Sequence, residues 1–332
     1  MKLETIRWGV IGAGNVFEYK SGPALSKTPS SELVAVMRTN AAIAEETARR
    51  HNAKHWYTTA ESLVADPEVN AVYIASPHYL HPEHVALAAR AKKIVLCEKP
   101  VGVNTAQAQQ AVAVCRANSV PLTVAYYRRF WDIVQAMQTF LREGAIGQVV
   151  TARAQLSDLF TGDGERGWLT SMAKSGGDAL ANSGAHWIDL IRFLLGEVSD
   201  VMAYASSKFS GWETDDTTIV QMRMVSGALV SLTTTRRTPT STNELDILGT
   251  TGRLYASPLS EGRLILHRSG REPEMLNYPR AGVMHAELIA ALVPYLLRGE
   301  PSPLPGEEAV AAWKVMEAAY RSSAEGVRVT VK

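Results

Sequence analysis

The chain has 332 residues, of which 46% are hydrophobic and 20% charged, a composition typical of a globular protein. Its length is expected for two domains. Its formal net charge is +1 without a basic run, so nothing indicates binding to nucleic acid or to a membrane surface. Only two cysteines occur, the start of the chain lacks a signal-peptide pattern and no apolar run is long enough to cross a bilayer, so we expect a cytoplasmic protein.

The first third of the chain alternates short apolar strands with amphipathic helices. The predicted strands are IRWGVIGAG, ELVAVMR, AVYIASP, KIVLCEKP and VPLTVAYY, and the predicted helices are 41–51, 83–91 and 105–118. Strands that are apolar throughout and separated by helices indicate a parallel sheet covered on both faces. Right-handed crossovers then give a doubly wound α/β domain, which we place at residues 1–125.

The pattern changes after residue 125. Helices are predicted at 131–143, 184–195, 285–298 and 306–323. Between residues 198 and 267 strand-like segments follow one another with little helix between them, which indicates a mainly antiparallel sheet. We therefore assign residues 126–332 to a second α/β domain.

A glycine turn follows the first strand. Gly12 permits the tight turn, and Gly14 lets a pyrophosphate approach the backbone amides of Asn15 and Val16 at a helix start. Phe17 occupies the third glycine position of the usual fingerprint, so we expect a wider approach of helix and strand. Because the turn begins a series of strands and helices, it predicts a dinucleotide site.

The second strand ends in Arg38, where a fingerprint for NAD has an acidic residue. An arginine can pair with the 2′-phosphate of NADP(H), although a solvated arginine at a strand end is the alternative. The sequence therefore favours NADP(H) over NAD(H).

Later motifs follow in a fixed order. They are ASPHYLH at 75–81, CEKP at 97–100, YYRRF at 126–130, GAIGQV at 144–149 and GGDALANSGAHWIDL at 176–190. Over nearly the whole chain this succession resembles the glucose–fructose oxidoreductase, inositol dehydrogenase and MocA (Gfo/Idh/MocA) family. The resemblance implies an N-terminal Rossmann domain and a C-terminal α/β domain with an open, mainly antiparallel sheet. The resemblance also implies that one face of that sheet covers the active site and that the other face builds homodimers or homotetramers.

The resemblance gives Lys99 a role beside the nicotinamide and the substrate. A lysine at the end of an apolar strand is otherwise read as a solvated end residue. Pro100 restricts Lys99, and the resemblance leads us to expect a cis peptide bond between them. Lys99 would hydrogen-bond the reacting oxygen and stabilise its developing charge. Glu98 is assigned to the cofactor site.

The same resemblance places Ser76, Pro77 and His81 beside the nicotinamide ribose. His78, His81 and His84 also recur at steps of three, but prolines interrupt the helical register and no cysteine or carboxylate cluster accompanies them. We therefore predict no metal site.

His186 and Asp189 share a face at a helix start. The resemblance makes His186 a general base or acid toward the substrate hydroxyl, and a capping or core histidine is the alternative. Many sugar and inositol dehydrogenases have an aspartate at the position of Asn182. Asparagine can still bind a substrate hydroxyl or cap a helix, but it carries no charge to stabilise an imidazolium.

Several residues remain open. Either Arg128 or Arg129 could line the cleft, and an interdomain salt bridge is the alternative. Arg166 could bind substrate, and His285 could edge the substrate pocket or only begin a helix. Asp215 belongs to a stretch that we interpret as a turn.

The predicted function is hydride transfer between NADP(H) or NAD(H) and a sugar, polyol or related carbonyl or alcohol. The alternative is a non-catalytic nicotinamide-binding sensor or partner subunit, with a lyase or hydrolase as a third possibility. The sequence does not identify the substrate.

Overall fold

The structure, a computed structural model, describes residues 3–280 and 282–332. Contacts divide the chain into two compact units. The first comprises Met1–Tyr127 with Ala281–Val310, and the second comprises Arg128–Arg280 with Ala311–Lys332. No helix in the described part of the chain has the length and apolar content needed to span a bilayer.

The first unit contains a six-stranded parallel sheet. Its strands are β1 (Ile6–Ile11), β2 (Ser31–Met37), β3 (His55–Tyr57), β4 (Ala71–Ile74), β5 (Ile94–Cys97) and β6 (Leu122–Val124). The connecting helices are α1 (Gly22–Lys27), α2 (Ala41–His51), α3 (Ala60–Val64), α4 (His81–Arg90) and α5 (Thr105–Ala117). The strand order β3-β2-β1-β4-β5-β6 confirms the predicted doubly wound fold. It reverses direction between β1 and β4, where such folds bind ligands at the carboxyl ends of the strands.

The second unit contains a nine-stranded sheet. Its helices are α6 (Asp132–Arg142), α7 (Met172–Ser175) and α8 (Ala185–Leu195). Its strands are β7 (Val149–Leu159), β8 (Val198–Ser206), β9 (Thr217–Met224), β10 (Leu229–Thr235), β11 (Arg237–Gly249), β12 (Gly252–Ala256), β13 (Arg263–Arg268), β14 (Glu274–Asn277) and β15 (Val329–Thr330). The order is β14-β13-β12-β11-β7-β10-β9-β8-β15. Only the β7–β10 pair among these described strands is parallel, which confirms the mainly antiparallel prediction.

Residues 281–310, which the sequence analysis assigned to the second domain, belong to the first unit. They contain α9 (Ala286–Arg298), which packs against α1 and β1 and is followed by α10 (Glu307–Glu325). Leu288, Ile289 and Leu292 form part of its buried apolar stripe. This segment joins the first unit through packing between residues that are far apart in the sequence. Local periodicity does not predict such packing.

Candidate functional site

The glycine turn lies between the carboxyl end of β1 and a helical turn. Gly12 has a φ of +82°, and a Cβ atom there would lie 2.7 Å from the backbone nitrogen of Ser76, so only glycine fits without a backbone shift. The backbone nitrogens of Gly12 and Ala13 both donate to the carbonyl of Met37, at 3.2 and 3.1 Å. The turn is narrow, and its role as a pyrophosphate site stays a prediction.

Phe17 begins a short π-helix, Phe17–Ser21, directly before α1. Its ring is completely buried and lies 4.6 Å, centroid to centroid, from the ring of His51. The wider helix geometry accommodates a phenyl ring where the usual fingerprint has a glycine.

Arg38 follows β2 and reaches the glycine turn, since its Nη1 donates to the carbonyl oxygen of Ala13 at 3.0 Å. The guanidinium therefore stands beside the turn that the sequence assigns to the pyrophosphate. Its predicted pairing with a 2′-phosphate stays a prediction.

His81 connects the segments that follow β4 and β5. Its Nδ1 lies 2.8 Å from the carbonyl oxygen of Pro100 and its Nε2 lies 2.7 Å from the carbonyl oxygen of Ser76. The ring is fully buried, and burial lowers its pKa to about 4 although both carbonyls and the charge of Glu98 favour protonation. His81 thus joins two backbone segments of the predicted cofactor site, and any contact with the cofactor stays a prediction.

Glu98 and Lys99 follow β5 and are both buried. The Lys99–Pro100 peptide bond is cis, as expected. Glu98 Oε1 accepts a 2.7 Å hydrogen bond from the Tyr73 hydroxyl, and its Oε2 accepts one from the backbone nitrogen of Lys99 at 3.3 Å. These hydrogen-bond partners of the Glu98 carboxylate therefore lie in the first unit. The assignment of Glu98 to the cofactor site stays a prediction.

In the second unit Asn182 lies in a buried π-helix, Ala179–Gly184, which leads into α8. Its Nδ2 donates to Asp178 Oδ1 at 2.9 Å, so a carboxylate stands one helical turn before the asparagine. Asp178 is completely buried, and burial raises its pKa, although the charge of Arg236 and the hydrogen bond from Asn182 act in the opposite direction.

Arg236 is the principal cation beside Asp178. Its Nε lies 3.4 Å from Asp178 Oδ2, and its Nη1 donates to Ser183 Oγ at 2.6 Å and to Asp158 Oδ2 at 3.0 Å. Arg166 joins the same cluster because the guanidinium groups of Arg166 and Arg236 lie 4.9 and 5.0 Å from the centre of the Phe160 ring. The sequence analysis did not single out Arg236 or Asp178.

His186 is buried in the first turn of α8, four residues after Asn182. Trp187 and Ile188 are buried beside it on the same helix. A buried imidazole at this position is compatible with the predicted base, and that role stays a prediction.

Asp215 determines how the segment containing Asn182 begins. Its carboxylate accepts hydrogen bonds from the backbone nitrogens of Asp178 and Leu180, at 2.9 and 2.7 Å, and from the hydroxyl of Tyr320 at 2.8 Å. Tyr320 in turn accepts from the backbone nitrogen of Ala181 at 3.2 Å. Asp215 thus holds the segment that contains Asn182, whereas the sequence suggested only a turn. Because Asp215 and Tyr320 are 105 residues apart, no local sequence pattern predicts their hydrogen bond.

The two candidate arginines have different surroundings. Arg129 forms a bidentate ion pair with Asp189 of α8, with nitrogen–oxygen distances of 2.6 to 3.1 Å. Arg128 lies over the indole rings of Trp131 and Trp187, at 5.6 and 5.1 Å. The ion pair of Arg129 thus lies inside the second unit, and the interdomain salt bridge offered by the sequence stays a prediction.

Two family models match the chain. One, described as an oxidoreductase family with an NAD-binding Rossmann fold, covers residues 6–126. The other, the C-terminal domain of the GFO/IDH/MocA proteins, covers residues 134–255. Together they confirm the resemblance drawn from the sequence motifs.

Curated relatives and solved structures agree with these matches. The chain is 38% identical over 200 residues to oxidoreductase P35 of Formosa agariphila, an alignment that spans 59% of the chain and 62% of that protein. It is 32% identical over 231 residues to trans-1,2-dihydrobenzene-1,2-diol dehydrogenase of Mus musculus, spanning 69% of the chain and 68% of that enzyme. Levoglucosan dehydrogenase in complex with NADH superposes with a TM-score of 0.90 at 21% identity, covering 99% of each chain, and shows the same fold.

Proposed function

The chain belongs to the GFO/IDH/MocA oxidoreductase family, whose N-terminal part is an NAD-binding Rossmann fold, and we propose that it transfers hydride between a nicotinamide cofactor and a sugar, polyol, diol or related carbonyl compound. The mouse relative is named for a diol substrate, which supports this substrate class. No observation favours a non-catalytic nicotinamide-binding protein.

One arrangement carries the proposal. β1, β4 and β5 are adjacent parallel strands, so their carboxyl ends lie along one edge of the sheet. The segments that follow them contain Gly12, Ser76 and Lys99 respectively. The narrow approach between Gly12 and Ser76 fits a dinucleotide, because a side chain in place of the glycine hydrogen would fill it.

A nicotinamide cofactor held at this edge of the sheet would supply or accept the hydride. Lys99 donates a hydrogen bond to the substrate oxygen and stabilises the negative charge that develops there. His186 takes the hydroxyl proton during oxidation and returns it during reduction. Asn182, held by Asp178, orients a substrate hydroxyl.

NADP(H) is the proposed preference, supported by the position of Arg38 at the glycine turn. A parallel titration with NADPH and NADH, followed by nicotinamide fluorescence, tests it. We expect Arg38→Ala to weaken NADPH binding about 10- to 100-fold, the range of a lost charge-assisted hydrogen bond, and to leave NADH binding within twofold. Equal binding of both cofactors by the unaltered protein would refute the preference.

Turnover tests the enzyme assignment. The purified protein is assayed for NAD(P)H formation with diols and polyols and for NAD(P)H consumption with matched carbonyl compounds. Lys99→Ala should abolish turnover but retain nicotinamide binding, whereas Lys208→Ala, at an exposed loop position, should behave like the unaltered protein. Bound cofactor without turnover of any member of these classes would contradict the proposal. Homodimer or homotetramer formation stays a prediction for sedimentation analysis.

A further inference from the structure

Arg128 carries a buried guanidinium in the second unit. The residue is 8% exposed, and the group lies over the indole rings of Trp131 and Trp187, at 5.6 and 5.1 Å from the ring centres. Its Nε and Nη1 are buried, and no described residue accepts a hydrogen bond from either. Asp189, a carboxylate on α8, is engaged by Arg129 in a bidentate pair. Arg128 is therefore a buried cation, and the described chain supplies no acceptor for these two nitrogens.

A second arginine lies over the indole of Trp131. The guanidinium of Arg280 is 4.4 Å from the centre of that ring, and its Nε and Nη2 are buried without a hydrogen-bond partner in the described part of the chain. The same holds for Nε1 of Trp187, a completely buried residue. All of these groups are donors, and both arginines are cationic. An indole face attracts a cation, but stacking on it does not replace an oxygen acceptor for the guanidinium N–H groups.

The chemistry of this donor set selects an oxyanion. A buried N–H group without an acceptor costs free energy, and a buried charge without a counter-charge costs more. A carboxylate carries the opposite charge, and its two oxygens accept two N–H groups of one guanidinium. A neutral hydroxyl supplies a weaker acceptor and no charge. A carboxylate ligand therefore satisfies groups that the neighbouring side chains leave unsatisfied.

The donors lie beside the helix that carries the predicted base. Trp187 directly follows His186 in the first turn of α8. Asp189, which pairs with Arg129, lies three residues after His186 and on the same face of the helix. That ion pair holds the segment containing Arg128 along this turn. The position favours the substrate, rather than a separate ligand, as the source of the anionic group.

We propose that Arg128 and Arg280 bind a carboxylate of the substrate, which narrows the substrate class to hydroxy acids of the sugar or polyol series and the oxo acids formed from them. Arg128 is thereby a specificity-determining residue that selects a charged substrate over its neutral counterpart. The attribution to the substrate rests on the function proposed above, whereas the anion site itself does not.

A ¹⁹F NMR titration tests the anion site without turnover. Gluconate is the carboxylate probe, sorbitol is the neutral polyol of the same chain length, and inorganic phosphate is the other oxyanion. In protein labelled with 5-fluorotryptophan, gluconate should shift the signals of Trp131 and Trp187, assigned with Trp→Phe variants, and sorbitol should not. Arg128→Gln should raise the Kd for gluconate about 10- to 100-fold, the range of a lost charge-assisted hydrogen bond. Arg142→Gln, at an exposed position on α6, is the matched control and should not change it.

Three results of this titration would overturn the proposal. If neither anion shifts the two signals, Arg128 only packs against the indole rings. If phosphate shifts them and gluconate does not, the site takes a phosphoryl group. If gluconate binds equally well to Arg128→Gln, the anion lies elsewhere.

Thermal unfolding separates loss of binding from loss of packing. Arg128→Met keeps apolar contact with the indole rings and removes a buried charge, so it should unfold no lower than the unaltered protein when no anion is added. Gluconate should raise the unfolding temperature of the unaltered protein and not that of the variant. A clearly lower unfolding temperature of Arg128→Met without gluconate would show a structural role and contradict the proposal.

Kinetics test the attribution to the substrate. With hydroxy acids and their matched polyols, Arg128→Gln should lower the ratio of kcat/KM for acids to kcat/KM for polyols about 10- to 100-fold. An equal loss for both classes, or a preference of the unaltered protein for polyols, would refute the attribution. If the unaltered protein oxidises neither class, the proposed function fails, while the ¹⁹F titration still decides the anion site.

Discussion

The carboxylate of Asp178 accepts a 2.9 Å hydrogen bond from Asn182, and both side chains are buried. Position 182 lacks the aspartate that the family resemblance leads one to expect there in sugar dehydrogenases. In this chain a carboxylate is nevertheless present, four residues earlier, and Arg236 lies against it. Asn182 is thus a hydrogen-bond donor to a buried carboxyl group.

Asn182→Asp should destabilise the protein. It replaces a donor with a second carboxylate next to a buried one, and we expect a loss of about 2 kcal/mol in the free energy of unfolding at pH 7. Burial already raises the pKa of Asp178, so the folded form binds protons more tightly than the unfolded chain. The penalty should accordingly be smallest below the ordinary carboxyl pKa and grow as the pH rises through the folded value.

Urea titrations at pH 4 and pH 7 measure this effect. Asn277→Asp, an exposed position on β14, is the matched control and should change stability little at either pH. Equal stability of Asn182→Asp and the unaltered protein at pH 7 would show that the two carboxylates do not interact.

His81→Gln should remove a pH dependence of stability. Burial lowers the pKa of His81 to about 4 from 6.5, so unfolding takes up a proton between these values and stability falls as the pH falls from 6.5 toward 4. That difference of about 2.5 units corresponds to about 3 kcal/mol at most. In His81→Gln the free energy of unfolding should depend less on pH across this window, as measured by urea titration.

The same variant should weaken nicotinamide binding, because the carbonyls of Ser76 and Pro100 lose their common partner. His267→Gln, at an exposed site on β13, is the control and should alter neither property. A His81→Gln protein with unchanged pH dependence would mean that the ring is protonated in the fold.

The fold was predictable from sequence where the signal was local. Apolar runs gave five strands of the parallel sheet, and α2 was found at its observed bounds. β3 was missed because it has three residues, none of them buried. The π-helical turns at Phe17 and Asn182 were not foreseen either, since the i to i+5 pattern has no distinct periodicity.

Only those residues of the candidate site that belong to sequence motifs were predictable. Gly12, Lys99 and His186 stand in recognisable sequence contexts. The residues that contact the predicted site segments have no such sequence context. Asp215 bonds to Tyr320, and Glu98 lies beside His285, and each pair is separated by more than a hundred residues. Such contacts are consequences of the tertiary fold.

Arg129→Met should be strongly destabilising. Arg129 and Asp189 form a bidentate pair with side-chain exposures of 11% and 1%, so removal of the arginine leaves a buried carboxylate without its counter-charge. Losing one partner of such a pair costs about 3–5 kcal/mol. Arg129→Met/Asp189→Leu should recover much of that loss in thermal unfolding. Arg298→Met, from an exposed pair with Glu300, should have no measurable effect, and equal behaviour of the two single variants would contradict this account.

Tyr320→Phe should loosen the segment that holds Asn182. The hydroxyl donates to Asp215 Oδ1 and accepts from the backbone nitrogen of Ala181, so its removal takes this partner from the Ala181 amide and one of several hydrogen bonds from Asp215. We expect a loss of about 1–3 kcal/mol in unfolding free energy. Since Asp215 also receives the amides of Asp178 and Leu180, the substrate KM should rise while nicotinamide affinity stays unchanged.

Tyr204→Phe is the matched control for this change, because its ring is 72% exposed and its hydroxyl contributes little to the core. Asp215→Asn should reproduce the effect of Tyr320→Phe in a stronger form, since the amide can accept at only one of the positions that the carboxylate uses. The double variant Tyr320→Phe/Asp215→Asn should lose less than the sum of the single losses, because both remove the same hydrogen bond. Additive losses would show that Tyr320 and Asp215 act independently, and would refute their joint role in placing Asn182.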